Sequence, residues 1–296
     1  MKIMVYLHLF VLHIYVYLLN LKNLLLLSIL EDSNEGNSCG LSVEIKPSGK
    51  EIEQFTEGLT GCSYKFGNNI ELKSLPKNHI KKNLENDVDL SIKEAEESHS
   101  DLVSGVYEGG LKIWECTFDL GHYLTRQTSS YCFEHKVVLD LGCGAGLLGI
   151  LACKLGAIQV DFQDYNAGVI KHLTIPNILL NFSEIPKVRF WYGDWGGFKQ
   201  ACFYDVILTS ETIYQPKAYL KLHELFKNCL KPNGIIILAA KSYYFGVGGS
   251  LGEFLSFIEN EKIFTHKNVW YSNEGIKREI VELRFRKDVS IDNELL

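Results

Sequence analysis

A glycine-rich turn between an apolar strand and a helix constrains this chain more than any other feature in it. Residues 137–141, Val-Val-Leu-Asp-Leu, read as a strand that runs directly into Gly142-Cys-Gly144-Ala-Gly146-Leu-Leu-Gly149. Glycines at such a junction let the backbone turn sharply and let a ligand lie against it. The following helix aims its free N–H groups at the same place. Further apolar runs occur at 160–163, 188–192, 206–209 and 235–239, and helix-length segments at 147–155, 167–180 and 217–230 lie between most of them. Short buried runs linked by helices predict an α/β fold with a mostly parallel sheet covered on both faces. Two last runs, 264–270 and 279–285, flank a turn at 273–275, so the final strand is expected to be antiparallel.

The turn contains a literal G-x-G-x-x-G (Gly144, Gly146, Gly149), which admits a dinucleotide. The register favours another ligand. Asp140 stands two residues before Gly142, giving D-x-G-x-G-x-G, the pattern of S-adenosylmethionine enzymes. Asp164, at the tip of the second strand, is placed to accept hydrogen bonds from both ribose hydroxyls of an adenosine. Its alternative reading is a helix cap, a role Asn166 fills equally well. After the third strand, Asp194 and Trp195 put an acid and an aromatic ring where adenine would lie. Packing at the rim explains Trp195 as readily. After the fourth strand come Ser210, Glu211 and Tyr214, where a transferred group and its acceptor should meet. Glu211 as the cap of a helix starting near Pro216 is the alternative.

Five blocks, in order, carry a resemblance. They are Ser104-Gly-Val-Tyr-Glu-Gly-Gly-Leu-Lys-Ile113-Trp114-Glu115-Cys116-Thr117, the glycine loop, Gln163-Asp164-Tyr165, Ser210-Glu211-Thr-Ile-Tyr214 and Tyr244-Phe245-Gly246-Val247-Gly248-Gly249. Over about 101–286 the chain resembles the eukaryotic protein-histidine N-methyltransferases. The resemblance implies a Rossmann-like seven-strand methyltransferase fold and S-adenosyl-L-methionine as cofactor. It also implies, as acceptor, a histidine of a large-ribosomal-subunit protein. By the same resemblance Ile113, Trp114, Glu115, Cys116 and Thr117 cover the methionine end of the cofactor, and Gly142 lines the loop. Gln163, Asp164 and Tyr165 hold the ribose, Gly193, Asp194 and Trp195 border the adenine, and Ser210 closes the site. Glu211 and Tyr214 are the candidates to hold the second ring nitrogen of an acceptor imidazole. The Tyr244–Gly249 loop either closes on a peptide or bends back to shape the acceptor slot. A lysine methyltransferase on the same scaffold, or a module that only binds other proteins, are the alternatives. The chain departs from the resemblance in two places: 181–187 lacks the basic nuclear-targeting run that some relatives carry there, and the apolar first thirty residues have no counterpart. Cytoplasmic residence, with the nucleus second, is the expectation.

Composition adds exclusions. A formal charge of −6 is a poor match for a phosphate backbone, so direct nucleic-acid binding is not expected. Eight cysteines occur without one C-x-x-C pair, and the histidines show no ligand spacing, so no metal site is expected. Among residues 1–30 only Lys2, His8, His13, Asn20, Lys22, Asn23 and Ser28 are not apolar. The charged start of this segment is a single Lys2, no small-residue cleavage site follows it, and its flanking lysines, Lys2 and Lys22, give no orientation. We expect a dispensable leader or a gene-prediction extension, with a membrane anchor as the alternative. Residues 31–100, rich in Asn, Ser, Glu and Lys with short apolar islands such as 41–45, are expected to be a mostly flexible linker that could carry a short docking segment, and 101–290 the catalytic domain.

Overall fold

The computed structural model describes residues 42–48, 60–67, 69–76, 106–128, 130–198 and 203–287. The expectations for 1–30 and for most of 31–100 lie outside the described residues. No helix among the described residues is long and apolar enough to cross a membrane.

Ten strands and six α-helices are described: β1 (Val43–Ile45), β2 (Cys62–Phe66), β3 (Ile70–Ser74), α1 (Glu115–Arg126), β4 (Val137–Leu141), α2 (Leu147–Lys154), β5 (Gln159–Asp164), α3 (Ala167–Val169), α4 (Ile175–Asn181), β6 (Val188–Tyr192), β7 (Tyr204–Ser210), α5 (Tyr219–Cys229), β8 (Leu230–Lys241), α6 (Leu251–Glu261), β9 (Phe264–Tyr271) and β10 (Arg278–Phe285). The main sheet runs in the order β1-β6-β5-β4-β7-β8-β10-β9. Its five central strands are parallel, and β10 is antiparallel to both β8 and β9. Between β4 and its neighbours on either side the chain order reverses, and the carboxyl ends there open a crevice where doubly wound sheets bind ligands.

All seven expected strands are present, and the sheet has eight rather than seven. The additional one is β1, which pairs antiparallel with the edge of β6, Val43 opposite Tyr192 and Ile45 opposite Phe190. Three residues carry no readable periodicity, so the strand depends on the edge that receives it. The β2–β3 hairpin likewise falls within the stretch read as linker. It is anchored by Asn side chains of α4: Asn177 Oδ1 accepts from Leu75 N–H at 2.8 Å, and Asn181 Oδ1 accepts from Lys73 N–H at 2.8 Å. Phe66 and Leu72 from the hairpin are buried.

The expected helix over 167–180 is broken. A π turn, Ile170–Thr174, separates α3 from α4. Pro176 has no N–H to give back to the preceding turn, and the wider turn absorbs that loss. The break has a use, since Thr174 Oγ1 donates to the Gly144 carbonyl at 2.7 Å and ties this helix to the glycine loop.

His223 sits in the second half of the core, 1% exposed, with the edges of Phe257 and Phe264 against its ring. Neither ring nitrogen makes a well-formed hydrogen bond, and Nδ1 stands 3.5 Å from Glu224 Oε1. Burial lowers its pKa, and Glu261 and Glu224 oppose that shift without reversing it. The unfolded chain therefore takes up a proton near pH 6.5 that the folded chain refuses, so stability falls as pH drops below about 6.5, at up to about 1.4 kcal/mol per unit from this group. Urea midpoints at pH 7.5 and 5.5 should converge in His223→Leu relative to the wild type. An unchanged difference would contradict this assignment.

Candidate active site

The glycine loop fixes the floor of the site. Gly142, Gly144 and Gly146 all have left-handed φ, at 64°, 49° and 72°. At Gly144 the need for glycine is twofold, because a Cβ there would also stand 2.8 Å from the Gly110 carbonyl oxygen. Asp140 turns away from the ligand side. Its buried carboxyl accepts the N–H of Gly149 at 2.8 Å in the first turn of α2, and burial pushes its pKa up to about 8. The acid of the D-x-G-x-G-x-G pattern is thus a brace for the helix start.

Asp164 faces the crevice. It accepts from Gly144 N–H at 2.9 Å and from Asn166 N–H at 3.3 Å. Burial raises its pKa to about 6, against the pull of those backbone donors. Asn166, at the N-cap of α3, makes no capping bond. Its amide is committed to the segment before α1, donating to the Val106 carbonyl at 2.8 Å and accepting from Glu108 N–H at 3.2 Å. Through these contacts residues 106–114 are held as a strap across the glycine loop.

Strap, loop and strand ends enclose a cavity of ≈ 400 Å³, within the range for small-molecule sites. Ile113, Trp114, Thr117, Gly142, Asp164, Tyr165, Asp194, Trp195, Ser210, Glu211 and Tyr214 line it. Four residues expected at the cofactor do not. Glu115 points outward and pairs with Lys241 at 3.0 Å. Cys116 is fully buried on the inner face of α1, where burial and the neighbouring Glu211 raise its thiol pKa far above the usual range. Gln163 is also buried. Its Nε2 donates to the carbonyls of Asp164 (3.0 Å) and Gly193 (2.9 Å), and its Oε1 accepts from Trp195 Nε1 at 3.0 Å. Gln163 therefore holds Trp195 in place from behind the cavity wall. Gly193 contributes by donating its N–H to the Asp164 carbonyl at 3.0 Å. Asp194 accepts from Gly196 N–H and pairs with Lys221 at 2.8 Å, at the outer end of the cavity.

At the opposite end the Thr117 and Ser210 hydroxyls hydrogen-bond at 2.9 Å. Glu211 has φ 60° without being glycine, a strained conformation fixed by its N–H bond to the Ala239 carbonyl at 2.9 Å. It caps no helix, since the turn Pro216–Ala218 and α5 begin without it. Both of its carboxylate oxygens are buried without a hydrogen bond, and Lys241 Nζ stands 3.5 Å from Oε1. Burial draws the Lys241 pKa down, but Glu211 and Glu115 outweigh it and hold it above its ordinary value. Lys241 and Lys112 also lie over the Trp114 ring, at 5.0 and 4.4 Å from its centroid. Tyr214 donates its hydroxyl hydrogen bond to the Glu108 carboxylate, and burial foremost, with that carboxylate, raises its pKa beyond the usual range.

Sequence reasoning assigned no role to Glu108, Gly110, Lys112 or Lys241. The first three stand inside the block Tyr-Glu-Gly-Gly-Leu-Lys that precedes Ile113, so the signal was in view without a function attached.

This donor set fits S-adenosylmethionine. Asp164 suits the ribose hydroxyls, Trp195 and Asp194 the adenine, and the glycine backbone the amino-acid tail. The acids facing the cavity, Asp164, Asp194 and Glu211 among them, suit a ligand that carries a sulfonium cation. A family model described as "Lysine methyltransferase" matches residues 85–259, more than half of the chain. The "Histidine protein methyltransferase 1 homolog" of Bos taurus is 44% identical over 220 residues, covering 64% of this chain and 58% of the relative. That of Dictyostelium discoideum is 41% identical over 189 residues, covering 62% and 60%. "Histidine protein methyltransferase 1" of Saccharomyces cerevisiae is 26% identical over 263 residues, covering 65% and 69%. The chain thus spans about three fifths of the length of the first two relatives. By the match over residues 85–259 and the cavity those residues help to build, the chain belongs to this methyltransferase family, whose cofactor is S-adenosylmethionine.

Proposed function

We propose that this protein methylates an imidazole nitrogen of a histidine in another protein, and that the acceptor is a protein of the large ribosomal subunit met in the cytoplasm or nucleus. The observation that carries the reading is the 44% identity to relatives named as histidine protein methyltransferases. The acceptor end of the cavity is consistent with it.

When bound, S-adenosylmethionine supplies an electrophilic methyl group on a sulfonium. The residues of this chain do the rest by placement. A neutral imidazole already carries a lone pair, so no strong base is required. Holding reactants in a near-attack geometry supplies ~7–11 kcal/mol of the barrier. Asp164 fixes the ribose, and the Thr117–Ser210 pair closes the wall beside the reacting group. Tyr214 has given its proton to a hydrogen bond with Glu108, so its oxygen offers lone pairs. Such an acceptor takes the N–H of the second ring nitrogen and selects the tautomer. The carboxylate of Glu211, buried and 3.5 Å from the Lys241 ammonium, faces the positive charge that develops on the ring.

The description of the family model favours a second reading, with lysine as acceptor. The pH dependence of the rate separates the two. A histidine acceptor becomes fully reactive above about pH 7, so kcat should reach a plateau there, whereas a lysine must lose its proton and should gain about tenfold per unit toward pH 10. A rise continuing past pH 8.5 would contradict the histidine reading. Cofactor binding has its own limb: Asp164 binds a proton at about pH 6 in the free enzyme, so affinity should weaken about tenfold per unit below that value. Calorimetric titrations at pH 5 and 7.5 read this directly, and equal affinities would remove Asp164 from the ribose.

A further inference from the structure

Two loops at the carboxyl end of β8, together with the adjoining end of β9, hold most of the exposed large apolar side chains among the described residues. Residues 242–249 follow β8, residues 272–277 join β9 to β10, and Ser242 N–H donates to the Lys277 carbonyl at 2.8 Å, so the two loops adjoin. Among the described residues nine large apolar side chains are exposed, and five of them (Tyr243, Phe245, Val247, Tyr271 and Ile276) lie on these loops or at the end of β9. Phe245 is 80% exposed and meets Tyr243 edge-on, with ring centroids 4.9 Å apart. A concentration of this kind in a folded chain marks a binding surface.

The rim is built onto the wall of the cavity. Gly249 N–H donates to the Tyr214 carbonyl at 3.0 Å, Tyr244 N–H donates to the Gly249 carbonyl at 2.8 Å, and the Tyr244 hydroxyl accepts from Lys241 N–H at 3.2 Å. A Cβ on Gly249 would fall 2.4 Å from the Tyr214 backbone, so glycine is what allows the loop to lie there. None of the five apolar residues lines the cavity; they stand outside it, on the side of Tyr214. Beside them Lys277 pairs with Glu279 at 3.1 Å and Arg278 with Asp119, and Glu274 of the second loop is exposed. The rim therefore presents apolar contact with few charges beside it.

We propose that this rim is the docking surface for the acceptor protein, and that it grips an apolar segment of polypeptide next to the side chain that enters the cavity. The proposal rests on the reading of a protein acceptor, and the continuity of the rim with Tyr214 is what commits it to that occupant. An acceptor held there is anchored by the same backbone that positions Tyr214.

The test uses Phe245→Ala, Ile276→Ser and the double variant, with purified large-subunit ribosomal proteins as acceptor. The double variant should raise both KM and the equilibrium Kd for the acceptor ~10-fold, the effect of losing a well-packed apolar anchor. Its kcat at saturation and its cofactor affinity should stay within about twofold of wild type, which a folding defect would not permit. Unchanged KM and Kd would overturn the proposal. So would a wild-type dimer that the double variant dissociates, because the rim would then be covered by a second copy. Methylation of lysine by the wild type would end the histidine reading while leaving the KM and Kd comparison to decide the rim.

Discussion

Asp164→Ala is expected to weaken S-adenosylmethionine binding ~100-fold or more. The carboxylate is buried at the tip of β5, lines the cavity and is the acid we propose for the ribose hydroxyls. Hydrogen bonds to a charged acceptor contribute about 1.5–3 kcal/mol each, and two hydroxyls would lose them together. The substitution also strips Gly144 N–H of its acceptor at 2.9 Å, which loosens the loop meant for the amino-acid tail. Asp164→Asn separates these effects. An amide oxygen can still accept from Gly144 while the charge is gone, so the loop should survive with affinity still reduced. Calorimetric titration of wild type and both variants checks this. Wild-type affinity in Asp164→Ala would contradict the ribose assignment.

The second large effect is expected at Glu211. Glu211→Gln keeps the shape and the backbone bond to Ala239 but removes the negative charge at the acceptor end. We expect kcat to fall ~100-fold, about 2.7 kcal/mol of barrier, with cofactor affinity within about twofold of wild type. Lys241 would lose its partner at 3.5 Å yet keep Glu115 at 3.0 Å, so the fold should hold. Single-turnover rates at saturating cofactor measure the step. A variant with wild-type kcat would move Glu211 from chemistry to scaffolding.

The parallel strands were legible because their burial on both faces leaves continuous apolar runs, as in Val-Val-Leu-Asp-Leu of β4 and the apolar stretch of β8. The short β1 was not, since its hydrogen bonds come from the β6 edge. The β2–β3 hairpin was not, because Asn177 and Asn181, about a hundred residues away, hold it in place. Within the site the same physics sorts the expected residues. Asp164 and Gln163 are neighbours, but successive strand residues point to opposite faces, so one meets the cavity and the other braces Trp195. Cys116 lies on the inner face of α1, one residue from Thr117 on the cavity side. Glu108 and Lys241 gained roles only once the fold brought Tyr214 and Glu211 to them.

The most direct measurement is to incubate the enzyme with methyl-deuterated S-adenosylmethionine and unmodified large-subunit ribosomal proteins, then locate the label by fragment-ion mass spectrometry. The account predicts one deuterated methyl on a histidine imidazole, reduced ~100-fold in the Glu211→Gln reaction at matched early times. A label confined to lysine, or no incorporation by an enzyme that binds the cofactor, would contradict it.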